Sequence, residues 1–84
     1  STQKQYVANI QIDAYDRQGL LSDITSVLAT EKVNVTALNT LTDPSEHIAS
    51  MKLTIQIDDI TQLHRVMSKI SKVANVYDVR RVSS

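Results

Sequence analysis

Several residue types are scarce or missing in this 84-residue chain, and each absence excludes a class of site. There is no cysteine, which excludes a disulfide framework and a thiolate metal site and fits a reducing compartment, the cytoplasm. No apolar run approaches the ~20 residues that cross a bilayer, and nothing suggests attraction to an anionic membrane surface, so no membrane partner is expected. With no Trp or Phe and three tyrosines, the core is expected to consist of aliphatic side chains and methionine.

The charged residues balance, at nine Lys and Arg against nine Asp and Glu, so the excess of positive charge typical of nucleic-acid-binding domains is missing. The pair Arg80 and Arg81 leaves a weak RNA or ribosome contact open within a larger protein. His47 and His64 are far apart and have no clustered ligands beside them, so no metal site is predicted. With no base–nucleophile pair and no Gly-rich phosphate loop, neither catalysis nor a cofactor is expected.

Six segments have the periodicity of strands or helices: strands at 6–14, 33–38, 49–57 and 76–82, and helices near 20–31 and 60–70. The only proline lies in a predicted turn, "TDPSE" (42–46), between the second and third strands. Asp59 and Gln62 have the spacing of a capping box at the start of the second helix. In the last strand the valines are spaced by three, which indicates a bulge or an irregular end.

The order strand, helix, strand, strand, helix, strand predicts a ferredoxin-like βαββαβ sandwich of the α+β class, formed by residues 1–84 as one domain. Its antiparallel sheet is expected to have the spatial order 4-1-3-2 with both helices on one face, and residues 1–5 and 83–84 are expected to be flexible ends. The other face is predicted to be polar, with Val7 and Leu38 towards its rims. Its expected members are Asn9, Gln11, Lys52, Thr54 and Gln56.

The single glycine, Gly19, marks a difference between the two halves of this fold. The motif "IQID" occurs at 10–13 and at 55–58, each time at the end of a strand. The second copy leads almost directly into a helix, whereas the first is followed by the extra residues 15–19. Two interpretations stay open: the glycine permits a positive φ at a tight helix entry, or it lets a ligand approach the backbone.

The run "YDRQGLLSDITSVLATEKVNVTALNT" (15–40) resembles the ACT domain, a small ligand-binding regulatory module. The features that carry the resemblance are Asp16, the sequence Gly-Leu-Leu at 19–21, and the strand Val-Asn-Val at 33–35. Together with the ending "NVYDVRRV", they are most similar to the C-terminal ACT domain of RelA/SpoT-type (p)ppGpp synthetase/hydrolases. The resemblance covers residues 6–82.

The resemblance implies a homodimer, in which the loop after the first strand of one copy and a strand of the next enclose an amino acid. The ligand-binding residues that it implies are Asp16, Arg17, Gln18, Gly19, Leu20, Leu21, Asn34 and Val35. Amides at the helix start would suit a carboxylate, and Asp16 or the loop carbonyls would suit an ammonium group. Asn34 can donate and accept hydrogen bonds, and the two leucines would contact an apolar side chain.

Two positions depart from the ligand-binding relatives of that family. Gln18 stands where they often have proline, and Ala14 stands where the serine-binding relatives have histidine. A serine site is therefore not expected, and a branched-chain amino acid or an empty, purely structural site remains open. The leading hypothesis is a regulatory domain of a stringent-response enzyme that also contacts the other domains of that enzyme. Two alternatives remain open: an ACT domain of an amino-acid biosynthetic enzyme, and a module that makes a weak RNA contact.

Overall fold

The computed structural model describes residues 4–83, which form four strands and two helices in the predicted order. The elements are β1 (Tyr6–Tyr15), α1 (Leu20–Thr30), β2 (Asn34–Asp43), β3 (Ile48–Ile57), α2 (Ile60–Ser71) and β4 (Val76–Val82). Of the ends predicted to be flexible, residues 1–3 and 84 lie outside the described residues. Lys4, Gln5 and Ser83 lie outside the strands.

The four strands form one antiparallel sheet in the order β2-β3-β1-β4, which confirms the predicted topology. β3 pairs along its whole length with β1, from Tyr6 opposite Ile57 to Tyr15 opposite Ile48. β4 is shorter and pairs only with residues 9–14 of β1. The two edges of the sheet are therefore β2 and β4, and the three residues that begin β1 extend past the end of β4.

The core lies between the sheet and the two helices and is formed by aliphatic side chains and Met51, as predicted. Nine large side chains are almost completely buried there: Ile10, Ile12, Ile24, Met51, Leu53, Ile55, Leu63, Val66 and Ile70. In β1 and β3 every second residue is buried. This alternation is the result of helices covering one face of the sheet only.

The capping box predicted at α2 is present in its first half, whereas the Gln62 side chain bonds the residue before the N-cap and also connects the two helices. The Asp59 carboxylate accepts a hydrogen bond from the Gln62 backbone N–H (2.8 Å), and the Gln62 side-chain oxygen accepts one from the Asp58 N–H (2.7 Å). The Gln62 side-chain nitrogen donates to the carbonyl of Glu31, just after α1 (3.3 Å). Gln62 is the one buried polar residue among those described.

The prediction for β2 was wrong in its register and too short. Val35 lies opposite Ile55 but Ala37 lies opposite Thr54, so Thr36 is an extra residue in a bulge. The bulge turns Leu38 to the helix side of the sheet, opposite Leu53, instead of to the rim of the polar face. The strand then continues to Asp43, and the turn occupies 44–47 instead of 42–46.

The irregularity predicted for the last strand is confirmed. The pairing of β1 with β4 shifts between Asp13, opposite Asp78, and Ala14, opposite Val76. Tyr77 is the unpaired residue between them. This bulge brings the Tyr77 ring beside that of Tyr15, with 4.9 Å between the ring centroids.

Candidate functional site

The loop between β1 and α1, residues 16–19, is held in place by backbone hydrogen bonds to two other loops. The Asp16 N–H donates to the carbonyl of His47 in the β2–β3 turn (2.7 Å). The Tyr15 N–H donates to the carbonyl of Asn75, and the Asn75 side chain donates back to the Tyr15 carbonyl (2.9 and 3.3 Å). The start of the loop is thereby fixed by the β2–β3 turn on one side and by the segment before β4 on the other.

Arg17 connects the same loop to the rest of the protein through its side chain. Its guanidinium donates to the carbonyl of Ala74 (3.2 Å) and to the carbonyl of Gln18 (3.1 Å). It also forms an ion pair with Asp23 in the first turn of α1 (2.7 Å). Arg17 was predicted as a ligand-binding residue; the structure gives its guanidinium three partners within the chain.

Gly19 is the N-cap of α1 and has φ of 83°, the left-handed region that favours glycine. No side chain caps the helix through a hydrogen bond. The Leu20 N–H donates to the Arg17 carbonyl (3.3 Å), and the Gly19 carbonyl accepts from the Asp23 N–H (2.9 Å). The amides of Leu21 and Ser22, between these two bonds, are the donors that this helix start offers.

We expect Gly19→Ala to lower the free energy of unfolding by about 1 kcal/mol, because a Cβ disfavours a positive φ. The added Cβ would lie 3.6 Å from the Arg17 guanidinium, an ordinary contact, so strain and not a clash is the expected cause. Gly19→Asn is the matched control, because asparagine tolerates this backbone region better. Urea unfolding checks both variants, and equal losses for Ala and Asn would contradict the strain explanation.

The two leucines after Gly19 have different surroundings. Leu20 is buried in the core, with 2% of its surface exposed, whereas 42% of Leu21 is exposed. Leu21 therefore remains available as an apolar wall at the helix start. Asp16 and Gln18 are exposed as well.

Asn34 and Val35, the other half of the predicted site, lie at the opposite end of the sheet. Asn34 pairs with Gln56 near the end of β3, and its side chain donates to the Gln56 side chain (2.7 Å). The loop 16–19 adjoins the start of β3 at Ile48. A strand rises about 3.4 Å per residue, so the span from Ile48 to Gln56 is roughly 27 Å. A single copy does not bring the two halves together.

The face of the sheet without helices, here called the helix-free face, is polar as predicted, and it carries a hydrogen-bonded network that was not predicted. One Asp13 oxygen accepts hydrogen bonds from Gln11 (3.2 Å) and Ser50 (3.1 Å), which are also bonded to each other. The other Asp13 oxygen accepts from Arg80 (2.9 Å), which also pairs with Asp78 (2.6 Å). Three strands are connected in this way.

The Asp13 carboxyl is held in its charged form by this network. Partial burial pushes its pKa upward, but the hydrogen bonds from Arg80, Gln11 and Ser50 outweigh burial and keep the pKa below the ordinary value of 3.8. Arg80, with a carboxylate on either side, has its pKa raised by the same contacts. Arg80 was a candidate for RNA contact, and it is already engaged by two carboxylates.

A lowered pKa for Asp13 makes its contribution to stability depend on pH. The contribution is complete above the unfolded-state pKa, near 3.8, and it is lost as the pH falls through the lower folded-state value. We expect the difference in unfolding free energy between the wild type and Asp13→Asn to be constant from pH 7 to pH 5 and to shrink below pH 4. Urea titrations at each pH measure this difference, and a gap that widens on acidification would contradict the network.

Sequence reasoning missed the aromatic pair at the end of the helix-free face. Tyr15 and Tyr77 are half exposed, at 55% and 50%. Partial burial and the neighbouring charge of Asp13 raise the pKa of Tyr77. The valine spacing in β4 was the available signal, because it indicated the bulge that turns Tyr77 towards Tyr15.

Two cavities lie at the other end of the sheet from the loop 16–19, where β1 begins and β3 ends. None of the eight predicted site residues lines either of them. Within residues 4–83 no cluster of His, Asp and Glu has the arrangement of a metal site. Neither described helix has the length and apolar character that crossing a membrane requires.

A family model and the most similar curated proteins agree on the family to which this chain is related. The ACT domain model matches residues 2–81. The chain is 40% identical over 92% of its length to GTP pyrophosphokinase of Escherichia coli (strain K12). It is 37% identical over 94% of its length to the bifunctional (p)ppGpp synthase/hydrolase RelA of Mycobacterium tuberculosis. It covers 10% and 11% of these relatives, about a tenth of each.

A solved structure agrees with the sequence comparisons. The crystal structure of the ACT domain from GTP pyrophosphokinase of Chlorobium tepidum superposes with a TM-score of 0.82 at 25% identity. The superposition covers 94% of this chain and 100% of that one. The family match extends over residues 2–81, and the sheet order and the helix entry at Gly19 agree with it. The chain therefore belongs to the ACT domain family.

Proposed function

We propose that this ACT domain is a non-catalytic regulatory part of a cytoplasmic (p)ppGpp synthetase/hydrolase, and that it senses an amino acid between two copies. The proposed regulation requires that the ligand bind one arrangement of the enzyme better than another. The support for the parent enzyme is the identity of 40% to a GTP pyrophosphokinase along almost the whole domain. This support favours a stringent-response enzyme over an amino-acid biosynthetic one.

The observation that carries the proposal is the separation of the two halves of the site. The loop 16–19 and Asn34 lie at opposite ends of the sheet. If the β2 edges of two copies pair antiparallel, Asn34 and Val35 of one copy approach the end of the sheet that carries the other copy's loop. An incomplete site in one chain is thus completed by a second.

The exposed edge strand β2 favours such a pairing. All ten of its residues are exposed, and Asp43 at its end is the only charged one. Natural edge strands that stay unpaired normally carry charges or proline in their central part. Val35 and Leu38, each 37% exposed, add apolar surface beside the edge.

In the assembled site, each ligand group has a partner of suitable chemistry. The amides of Leu21 and Ser22 offer donors to a carboxylate, and the exposed Asp16 carboxylate offers an acceptor to an ammonium group. Leu21 provides an apolar contact. An apolar, branched-chain side group therefore fits this site better than a polar one.

Titration of the ¹⁵N-labelled chain with L-leucine, L-valine and L-isoleucine tests the sensing function. We expect saturable amide shifts at 16–21 together with shifts at 34–35, because one ligand contacts both segments across the interface. Asn34→Ala is expected to weaken binding about tenfold, and Asn39→Ala, in the middle of the same strand, serves as the control. The absence of shifts at 16–21 with all three amino acids at millimolar concentration would refute ligand sensing.

Equilibrium sedimentation tests the pairing of β2 separately. The antiparallel alignment that matches the two ends of β2 places Leu38 of each copy near the twofold axis. Leu38→Lys is therefore expected to convert a dimer to a monomer, because it brings like charges face to face. Val7→Lys, on the exposed start of β1, is the control and is expected to remain a dimer. A wild-type chain that is monomeric at micromolar concentration would refute the interface.

A further inference from the structure

A cavity of about 400 Å³ lies at the end of the sheet remote from the loop 16–19. Tyr6 and Ile57, which are partners across β1 and β3, and Ile60, the first residue of α2, form its apolar surface. Tyr6 and Ile60 are large apolar residues with 55% and 51% of their surface exposed. The cavity thus offers apolar contacts that no described residue uses.

Both signs of charge border this cavity. Asp58 and Asp59 precede α2 on one side, and Arg81 of β4 lies on the other. Arg81 pairs with the buried Ile10, so it lies on the helix side of the sheet, and it also borders the neighbouring cavity beyond the end of β4. The residues that line the cavity therefore carry charges of both signs beside apolar side chains.

Of the charged groups around the cavity, Arg81 is the cation, and it lacks a partner within residues 4–83. Arg17, Arg65 and Arg80 each form an ion pair, whereas Arg81 forms neither an ion pair nor a side-chain hydrogen bond.

The two aspartates of the cavity differ in how far they are already engaged. Within the described part of the chain the Asp58 carboxylate accepts no hydrogen bond, and Asp59 uses only one oxygen, to cap α2. The start of α2 is already capped by Asp59, so its backbone amides are not the reason to expect a ligand here. The reason is the side chains of Arg81 and Asp58, which are unpaired among the described residues.

We propose that this cavity binds a small zwitterion with an apolar side group, a free α-amino acid, at a site separate from the loop. The carboxylate pairs with Arg81, the ammonium group pairs with Asp58 and Asp59, and the side group covers Tyr6 and Ile60. An anion alone would be repelled by two carboxylates, and a cation alone would leave Arg81 without a partner. A neutral apolar molecule would leave all three charges unused.

The cavity site and the loop site share only the class of ligand. They lie in different parts of the fold, so their occupation can be measured separately. The loop site needs a second copy, whereas every group of the cavity comes from one chain. The loop site is reported by the amides of 16–21 and 34–35, and the cavity by those of 57–60 and 81. Shifts confined to the first set support the loop site and overturn the cavity site.

The decisive experiment is a titration of the full 84-residue chain with four probes, followed by amide shifts. The first probe, L-leucine, has all three groups. Leucinamide lacks the carboxylate, N-acetyl-leucine lacks the ammonium group, and glycine lacks the apolar side group. We expect saturable shifts at 57–60 and 81 with leucine, and binding at least about tenfold weaker with each of the others. Equal, non-saturating shifts with leucine and glycine would overturn the proposal.

A matched pair of variants isolates Arg81. Arg81→Gln is expected to weaken leucine binding at 57–60 about tenfold. Arg80→Gln removes the same charge from the next residue, on the helix-free face, and is expected to leave that affinity unchanged. The far-ultraviolet circular dichroism of both variants verifies that they are folded. Undiminished binding in folded Arg81→Gln would show that the cavity does not hold the carboxylate and would overturn the assignment.

Discussion

Replacing Leu53 by alanine is expected to lower the free energy of unfolding by about 3 kcal/mol, a large part of the total stability of this domain. Leu53 lies in the middle of β3 and is completely buried between Ile10 of β1 and the helices. Truncation removes three methylene-sized groups from a packed interior and leaves a cavity, which costs about 2–5 kcal/mol for leucine. A domain of this length is stabilised by roughly 4–13 kcal/mol.

The matched control for Leu53 is Leu41→Ala, in the strand paired with β3. Leu41 is 76% exposed, so its truncation is expected to change the unfolding free energy by less than about 0.5 kcal/mol. In thermal unfolding, the midpoint temperature of Leu53→Ala is expected to be roughly 12–24 °C below that of the wild type. The midpoint of Leu41→Ala is expected to stay near the wild-type value. Similar midpoints for the two variants would mean that β3 is not the centre of the core.

Gln62→Ala is expected to cost about 2 kcal/mol, an unusually large effect for a polar residue. The substitution leaves the Asp58 N–H and the Glu31 carbonyl without their partner, because both are bonded to the Gln62 side chain. The largest part of the loss is the cost of leaving these groups unpaired where water reaches them poorly.

Two further variants separate the contributions of Gln62. Gln62→Glu keeps an acceptor for the Asp58 N–H but loses the donor to Glu31, so an intermediate loss is expected. Gln56→Ala removes a glutamine whose side chain accepts only from the exposed Asn34, and less than about 0.5 kcal/mol is expected. Urea unfolding measures all three. A Gln62→Ala variant as stable as Gln56→Ala would contradict the role of Gln62 in connecting the helices.

The topology was predictable from the sequence because most elements bury one face. In β1 and β3 the helices cover alternate residues, so the apolar pattern had to follow the strand period. β2 has no such constraint, since all of its residues are exposed. The alternation read from Val33 to Leu38 therefore carried no information on the register, and the bulge at Thr36 went unpredicted.

The candidate site was predictable in part, and the unpredicted part depends on contacts between distant segments. The need for glycine at position 19 follows from its positive φ, one of the two interpretations that the sequence left open. The position of Arg17 depends on Ala74, 57 residues away, which no local pattern encodes. The cavity at Arg81 was missed because its charged and apolar members come from three separate strands and a helix start.

The Tyr15–Tyr77 pair gives the domain an intrinsic optical probe. The chain contains no tryptophan, so its near-ultraviolet circular dichroism and fluorescence come almost entirely from three tyrosines. Two of them lie 4.9 Å apart, and Tyr15 directly precedes the loop that begins at Asp16. A displacement of that loop relative to β4 would alter the coupling of these rings, so movement there can be followed without an attached dye.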